Sequence, residues 1–227
     1  MLLTRSRALL VAGAFLLLAS GCSSGSSNEE QVGQRLQTAK ADFDAAKYVG
    51  FTLHGDNLPD GVDTLVSASG TGTHAPAFTG QVEVHRGISF TAPIVAVNGK
   101  VYAKLPFVSW TTIDPADYGA PDPSRLMADS HGLSALLTET TGAHEMGSER
   151  SGATVLTKIV GTLPGADVHQ LFPSAGTGRF SVTYRLTDAD VLHDVSMTGP
   201  FYGDHGTSTY SIELDLSADP VAIKPPE

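Results

Sequence analysis

The sequence contains a single cysteine, Cys22, so no internal disulfide can brace the fold. Basic residues are scarce: 14 Lys+Arg stand against 24 Asp+Glu, a formal charge of −10. Nucleic-acid binding rewards basic patches that displace counterions, so this balance excludes a nucleic-acid partner. It also leaves no polybasic run of the kind that docks on anionic lipid. Trp110 is the one tryptophan, which leaves no aromatic platform for carbohydrate. The extended apolar run ALLVAGAFLLLA (8–19) has 12 residues, whereas a helix needs about 20 to cross a ~30 Å hydrocarbon core. No second segment is long enough to cross a membrane.

Catalytic constellations are missing as well. The one G-x-S-x-G string, GCSSG at 21–25, lies between the apolar run and the Ser/Gly tether and not between a strand and a helix, so it is no nucleophile elbow, and there is no glycine-rich phosphate loop ending in Lys-Ser/Thr. His144-Glu145 opens like a zinc-protease motif, but Ser148 stands where the second histidine ligand belongs. The eight histidines form no pair at ligand spacing and sit mostly beside turns, where solvation is expected. Asp188 and Asp190 fit the hairpin turn TDAD and not a calcium loop. The sequence thus offers no catalytic residue, no metal ligands and no cofactor motif, and it points away from an enzyme.

What is present starts at the N-terminus. Arg5 and Arg7 precede the apolar run, as in the n- and h-regions of a secretory signal peptide. There is no twin arginine, so the general secretion route is expected. Ala19-Ser20-Gly21-Cys22 looks like a bacterial lipobox, with Ala19 where Leu is usual and Leu18 one step further out. In such sequences the thiol takes a lipid and cleavage makes the cysteine the new N-terminus. Two acyl chains on Cys22 suffice for stable anchoring. The expected organisation is a leader (1–21), a lipidated flexible tether (22–28) and one domain (29–227). The expected location is the extracytoplasmic face of the cell membrane, within the envelope. Both leader arginines are lost on cleavage, so 12 basic residues then face 24 acidic ones.

Beyond the tether, Val32, Leu36, Ala39, Phe43 and Ala46 form one apolar stripe, which predicts a helix over 29–47. Period-two alternation follows in YVGFTLHG, TLVSASGTGTH and GQVEVHRG. Asn98-Gly99 between ISFTAPIVAV and KVYAKL is the strongest short hairpin signal. Pro93 inside the first arm warns of an edge or a bulge. Residues 114–143 lose the alternation. Ser130 is the expected N-cap of a helix through HGLSALLTET. Two further hairpins, around 150–152 and 188–190, flank a short helix at 165–173, and STYSIELDLS is the last strand. The tail IKPPE is expected to be stiff and exposed. Neighbouring strands connect as hairpins, so the expected fold class is α+β: one antiparallel sheet with helices on one face. A long sheet of this kind curls because strands twist. Periodicity is satisfied equally by a filled core and by a lipid-sized apolar gap between sheet and helices.

These pieces resemble a family of actinobacterial, mycobacterial-type lipoproteins that includes LppX, LprA, LprF and LprG. The resemblance rests on the order of the lipobox and Ser/Gly tether, YVGFTLHG, TGQVEV, VAVNGKVYAKL, VSWTTIDP, HGLSALL, GATVLTKIVGTL and PVAIKPP. It implies a half-barrel of the LolA/LolB type, a strongly curved sheet with helices on its concave side around an apolar cavity. It implies an acylated lipid or glycolipid ligand, carried from the membrane into the envelope, in places alongside a membrane transporter. A monomer without cofactors or catalytic residues is implied too. The positions carried over are the lipidated Cys22 and the inward faces Val49, Phe51, Leu53, Val82, Val84, Phe90, Ala92, Ile94, Ala96, Val101, Ala103, Leu105, Leu133, Leu136 and Leu137. The competing reading keeps the fold but fills the cavity, making a docking or sensing domain for a transporter or signalling partner.

Overall fold

The computed structural model describes residues 24–128 and 130–227. The leader and Cys22 lie outside the described residues. Eleven strands form one antiparallel sheet: β1 (Val49–Asp56), β2 (Thr64–Thr73), β3 (Ala77–Arg86), β4 (Ile88–Val97), β5 (Lys100–Lys104), β6 (Trp110–Ile113), β7 (Thr141–Ser151), β8 (Thr154–Pro164), β9 (Arg179–Thr187), β10 (Leu192–Gly199) and β11 (Ser208–Asp215). Their order is β6-β5-β4-β3-β2-β1-β11-β10-β9-β8-β7. Two meanders therefore meet at the central β1–β11 pair. The sheet is open and curved, a half-barrel, as the sequence reading expected. Helices α1 (Ser24–Ala45), α2 (Ala135–Glu139) and α3 (Gly165–Leu171) complete the α+β fold. Among the described residues no helix is long and apolar enough to cross a membrane.

Alternation decides which face is buried. Val49, Phe51 and Leu53 of β1 are buried, as are Phe180, Val182, Tyr184 and Leu186 of β9 and Tyr210 and Ile212 of β11. Asn98 (φ 56°) and Gly99 (φ 70°) make the β4–β5 turn, with positive φ at both central positions as a type I′ turn requires. Pro93 pairs with Gln81 of β3, while β5 pairs only with Ile94–Val97. The proline thus sits where the strand has become an edge. The far edge, β7, is almost wholly exposed, carries Glu145, Glu149 and Arg150, and pairs with β8 through register shifts. Charge and bulges of this kind blunt an edge against strand addition.

Three expectations change. Helix α1 begins at Ser24, inside the stretch read as tether. Its stripe Val32, Leu36, Ala39, Phe43 is buried, and a helix nucleated by that packing extends cheaply through polar residues. Helix α2 has only five residues, Ala135–Glu139, and starts after Ser134, not Ser130. Gly132 is the reason: a Cβ there would lie 2.0 Å from the Ala128 carbonyl oxygen, so this is a close turn and not a helical position. Strand β7 begins at Thr141, and β6 has little alternation to announce it.

On the buried face of the β2–β3 pair, Gly70 lies opposite Gly80, with the Phe78 ring against both. A Cβ on Gly80 would come 2.1 Å from the Ser69 carbonyl oxygen. Gly80→Ala is therefore expected to cost about 1–3 kcal/mol of stability through overpacking, measured by urea denaturation. An unchanged midpoint would mean that the two strands are not this close.

Candidate functional site

Strand β6 ends at one edge of the sheet and β7 begins at the other. Residues 114–140 must cross between them, and they do so over the concave face. This crossing splits that face into two unlike halves. Over β7–β11 the space is filled. Leu136 and Leu137 of α2, Val168 and Leu171 of α3 and Val32 and Leu36 of α1 are buried there, while Phe43 at the other end of α1 reaches His74 at the β2–β3 turn. Beneath them Phe201 meets Phe172, Phe180 and Tyr210 at centroid distances of 5.0, 4.9 and 4.8 Å. The phenol of Tyr184 donates to the Leu136 carbonyl (3.0 Å) and so fixes α2 to β9.

Over β1–β6 the cover is a segment without regular helix, residues 113–127. It holds only two 3₁₀ turns, Pro115–Tyr118 and Arg125–Met127. Pro115, Pro121 and Pro123 remove amide donors and push the preceding residues out of the helical region, so no longer helix forms. Asp114 caps the first turn by accepting the Ala116 amide at 3.0 Å. The Arg86 guanidinium lies 5.0 Å over the Tyr118 ring and also pairs with Asp63 at 3.2 Å, which ties the segment to the end of β3. At the other end His74 bridges two carbonyls, Met127 O (2.7 Å) and Phe43 O (3.0 Å). This histidine is therefore a structural bridge, not the solvated turn residue its position in the sequence suggested.

Between this lid and the sheet lies a pocket with an apolar lining, in which Tyr118 supplies the one side chain bearing a hydroxyl. Ten of the expected positions line it: Phe51, Leu53, Val82, Val84, Phe90, Ala92, Ile94, Val101, Ala103 and Leu105. Five do not. Val49 and Ala96 are core residues outside the lining, and Leu133, Leu136 and Leu137 belong to the filled half. Two β2 positions, Leu65 and Ala68, line the pocket unforeseen, as do Ile113, Pro115, Tyr118, Ala120, Pro121, Pro123 and Leu126 of the lid segment. The small and polar residues of TLVSASGTGTH obscured the β2 face. The proline cluster at 115–123 was the available signal for the lid.

The cavity measures about 40 Å³. An apolar cavity that admits benzene is on the order of 150 Å³. The lid and sheet are therefore nearly in contact, and the gap is not lipid-sized as it stands. Val82, Phe90 and Leu105 are only partly buried and mark its accessible side.

No carboxyl, imidazole, amine, guanidinium or thiol side chain lines the pocket. Burial pushes the phenols of Tyr184, Tyr202 and Tyr210 upward, but all three are hydrogen-bonded within the core. Glu139 is raised by desolvation and by Asp167, well away from the pocket. Among the described residues no group of three or more His, Cys, Asp or Glu could hold a metal.

The chain is thus an open antiparallel half-barrel with a small apolar, charge-free pocket under a lid. The chain belongs to the LppX_LprAFG lipoprotein family, which matches residues 31–223. Its fold is similar to that of LprF from Mycobacterium bovis, with a TM-score of 0.69 and 19% identity over 87% of this chain and 97% of that one. It is also similar to lipoprotein LppX from Mycobacterium tuberculosis, with a TM-score of 0.64 and 18% identity over 86% of this chain and 100% of that one. Similarity to a LolA superfamily protein from Nitrosomonas europaea is slight, with a TM-score of 0.29 and 6% identity. No curated protein sequence matches the chain significantly.

Proposed function

We propose that this protein is a lipoprotein, anchored through Cys22, that binds an acylated lipid or glycolipid beneath the 113–127 lid and carries it across the cell envelope. The observation that carries the reading is the apolar lining of the pocket, contributed by five neighbouring strands and a lid without regular structure. Burying a CH₂ is worth about 0.8 kcal/mol, so an acyl chain of about 16 carbons represents roughly 10 kcal/mol relative to water. In a bilayer that chain is already buried. A carrier therefore needs a site close to the bilayer in free energy, smooth and short of polar anchors, and this lining meets that need. Loading displaces the lid, and the acyl chain takes over the apolar contacts that the lid gives up. Beside the lid, Asp63, Asp117, Ser174 and Asp204 line an open groove whose oxygens can accept hydrogen bonds from a sugar head.

The second reading is a docking or sensing domain with a filled interior, and the small cavity favours it. Native mass spectrometry and organic extraction of the full chain, produced in a related actinobacterium, separate the two. Stoichiometric acylated lipid, with a diacylglyceryl group on Cys22, is the expected result. A lipid-free protein that also refuses added glycolipid would transfer the assignment to docking or sensing.

A further inference from the structure

Four large apolar side chains are exposed among the described residues. Met146 stands alone on β7. The other three, Ile88, Phe107 and Val108, emerge from the same end of the sheet, because the β3–β4 and β5–β6 turns of one meander open in the same direction. Phe107 is fully exposed and Ile88 is 74% exposed. The β5–β6 connection is a tight turn, Leu105-Pro106-Phe107-Val108, in which the Val108 amide donates to the Leu105 carbonyl at 3.2 Å. Phe107 occupies its third position with φ 64°. Glycine or asparagine is the ordinary residue at such a position, and positive φ in a bulky residue is an outlier. The chain thus holds a phenyl ring in water at a backbone position that glycine would fill more easily. Folding gains nothing from this arrangement.

We propose that this tip is a bilayer-contact wedge that brings the mouth of the pocket to an anionic lipid surface. Three observations select a bilayer over a protein partner. The first is continuity: Leu105 begins the turn and lines the pocket, and Phe90, two residues after Ile88, lines it too. The second is charge. The two turns, residues 86–88 and 104–110, contain no Asp or Glu; Lys104 stands at the base of one, and Arg86 beside the other pairs with Asp63, within a chain of −10. Lys104 pairs in register with the half-buried Trp110 at the base of the turn, the residue types that anchor proteins at a membrane interface. The third is area. Three side chains on two turns fall well short of the ~800 Å² per partner of a stable protein interface, yet a protruding wedge suffices for insertion. This surface rests on the carrier reading for its purpose and on separate residues for its existence.

Trp110, the one tryptophan, is a built-in reporter. The full anchored chain is placed in vesicles of phosphatidylcholine and phosphatidylglycerol with brominated acyl chains. Quenching and a blue shift of Trp110 emission are expected. Phe107→Gly should make the inserted population roughly tenfold smaller or less, with the thermal midpoint held or raised because glycine relieves the positive φ. Unquenched wild-type emission, or a Phe107→Gly variant quenched as fully as wild type, overturns the proposal. A blue shift that depends on protein concentration without vesicles also overturns it, in favour of a second copy. Lipid retained after detergent extraction and gel filtration scores the pocket separately. Quenching with an empty pocket sinks the carrier reading alone, and a loaded pocket without quenching sinks the wedge alone.

Discussion

Val82→Trp is expected to reduce recovery of acylated lipid at least roughly tenfold while the protein remains folded. Val82 sits at the middle of β3, in register with Ala68 of β2 and Ala92 of β4. These three form a low floor beneath the lid, and the two alanines leave the space above it. An indole buries 150–250 Å² when packed, and the cavity present is only about 40 Å³. The ring therefore occupies the ground that an acyl chain would take. Because Val82 is only partly buried, the ring can lean toward the accessible side, and the expected cost to stability is about 1–3 kcal/mol. Val82→Ala is the companion variant and should load normally. Lipid per protein by extraction, read beside the urea midpoint, decides the matter. A folded Val82→Trp protein that loads like wild type would remove this surface from the binding site.

The largest stability effect is expected at the other half of the sheet. Phe201→Ala should cost about 3–5 kcal/mol, against the 5–15 kcal/mol that typically separates folded from unfolded states. The ring is fully buried and stands between Phe172, Phe180 and Tyr210. It thereby joins the loop after β10 to α3, β9 and β11, and edge-to-face pairs of this kind add to simple burial. The urea midpoint should fall with the slope unchanged, as for a cavity in an otherwise intact fold. Lipid loading per folded molecule should be retained, because no residue of this cluster lines the pocket. A loss under about 1 kcal/mol would mean that the cluster is loosely packed, and lost loading would mean that the two halves are coupled.

The contrast between these variants reflects how the concave face is built. Helices with apolar stripes fill one half, while a proline-broken crossing covers the other. A site that must take up and release a large apolar ligand belongs over the half whose cover has few obligatory contacts. Under the carrier reading, the packed half keeps the sheet curved while the lid yields.

Much of this was legible before any coordinates. The hairpin at Asn98-Gly99 follows from residues that tolerate positive φ between two alternating runs. The burial of Val32, Leu36, Ala39 and Phe43 follows from their spacing, and that of Phe180, Val182, Tyr184 and Leu186 from period two. Ten pocket positions were named as inward faces through the family resemblance, since alternation alone fits a filled core equally well. The rule names a face, however, and does not say what covers it. Leu133, Leu136 and Leu137 are as apolar as the lining residues, yet they close the filled half. Leu65 and Ala68 line the pocket from a strand whose serines and glycines hide its pattern.

By itself the sequence determined the local choices: which segments are strands, where they turn and which side of each is apolar. Backbone sterics and side-chain periodicity act within a few residues, so such information is local. Only the tertiary structure decided that the chain crosses from one sheet edge to the other over the concave face. Only it decided which half that crossing fills and which it merely covers, and that Phe107 and Ile88 emerge together. Those outcomes depend on contacts between residues far apart in the chain, set by the curvature of an eleven-stranded sheet that no single segment encodes.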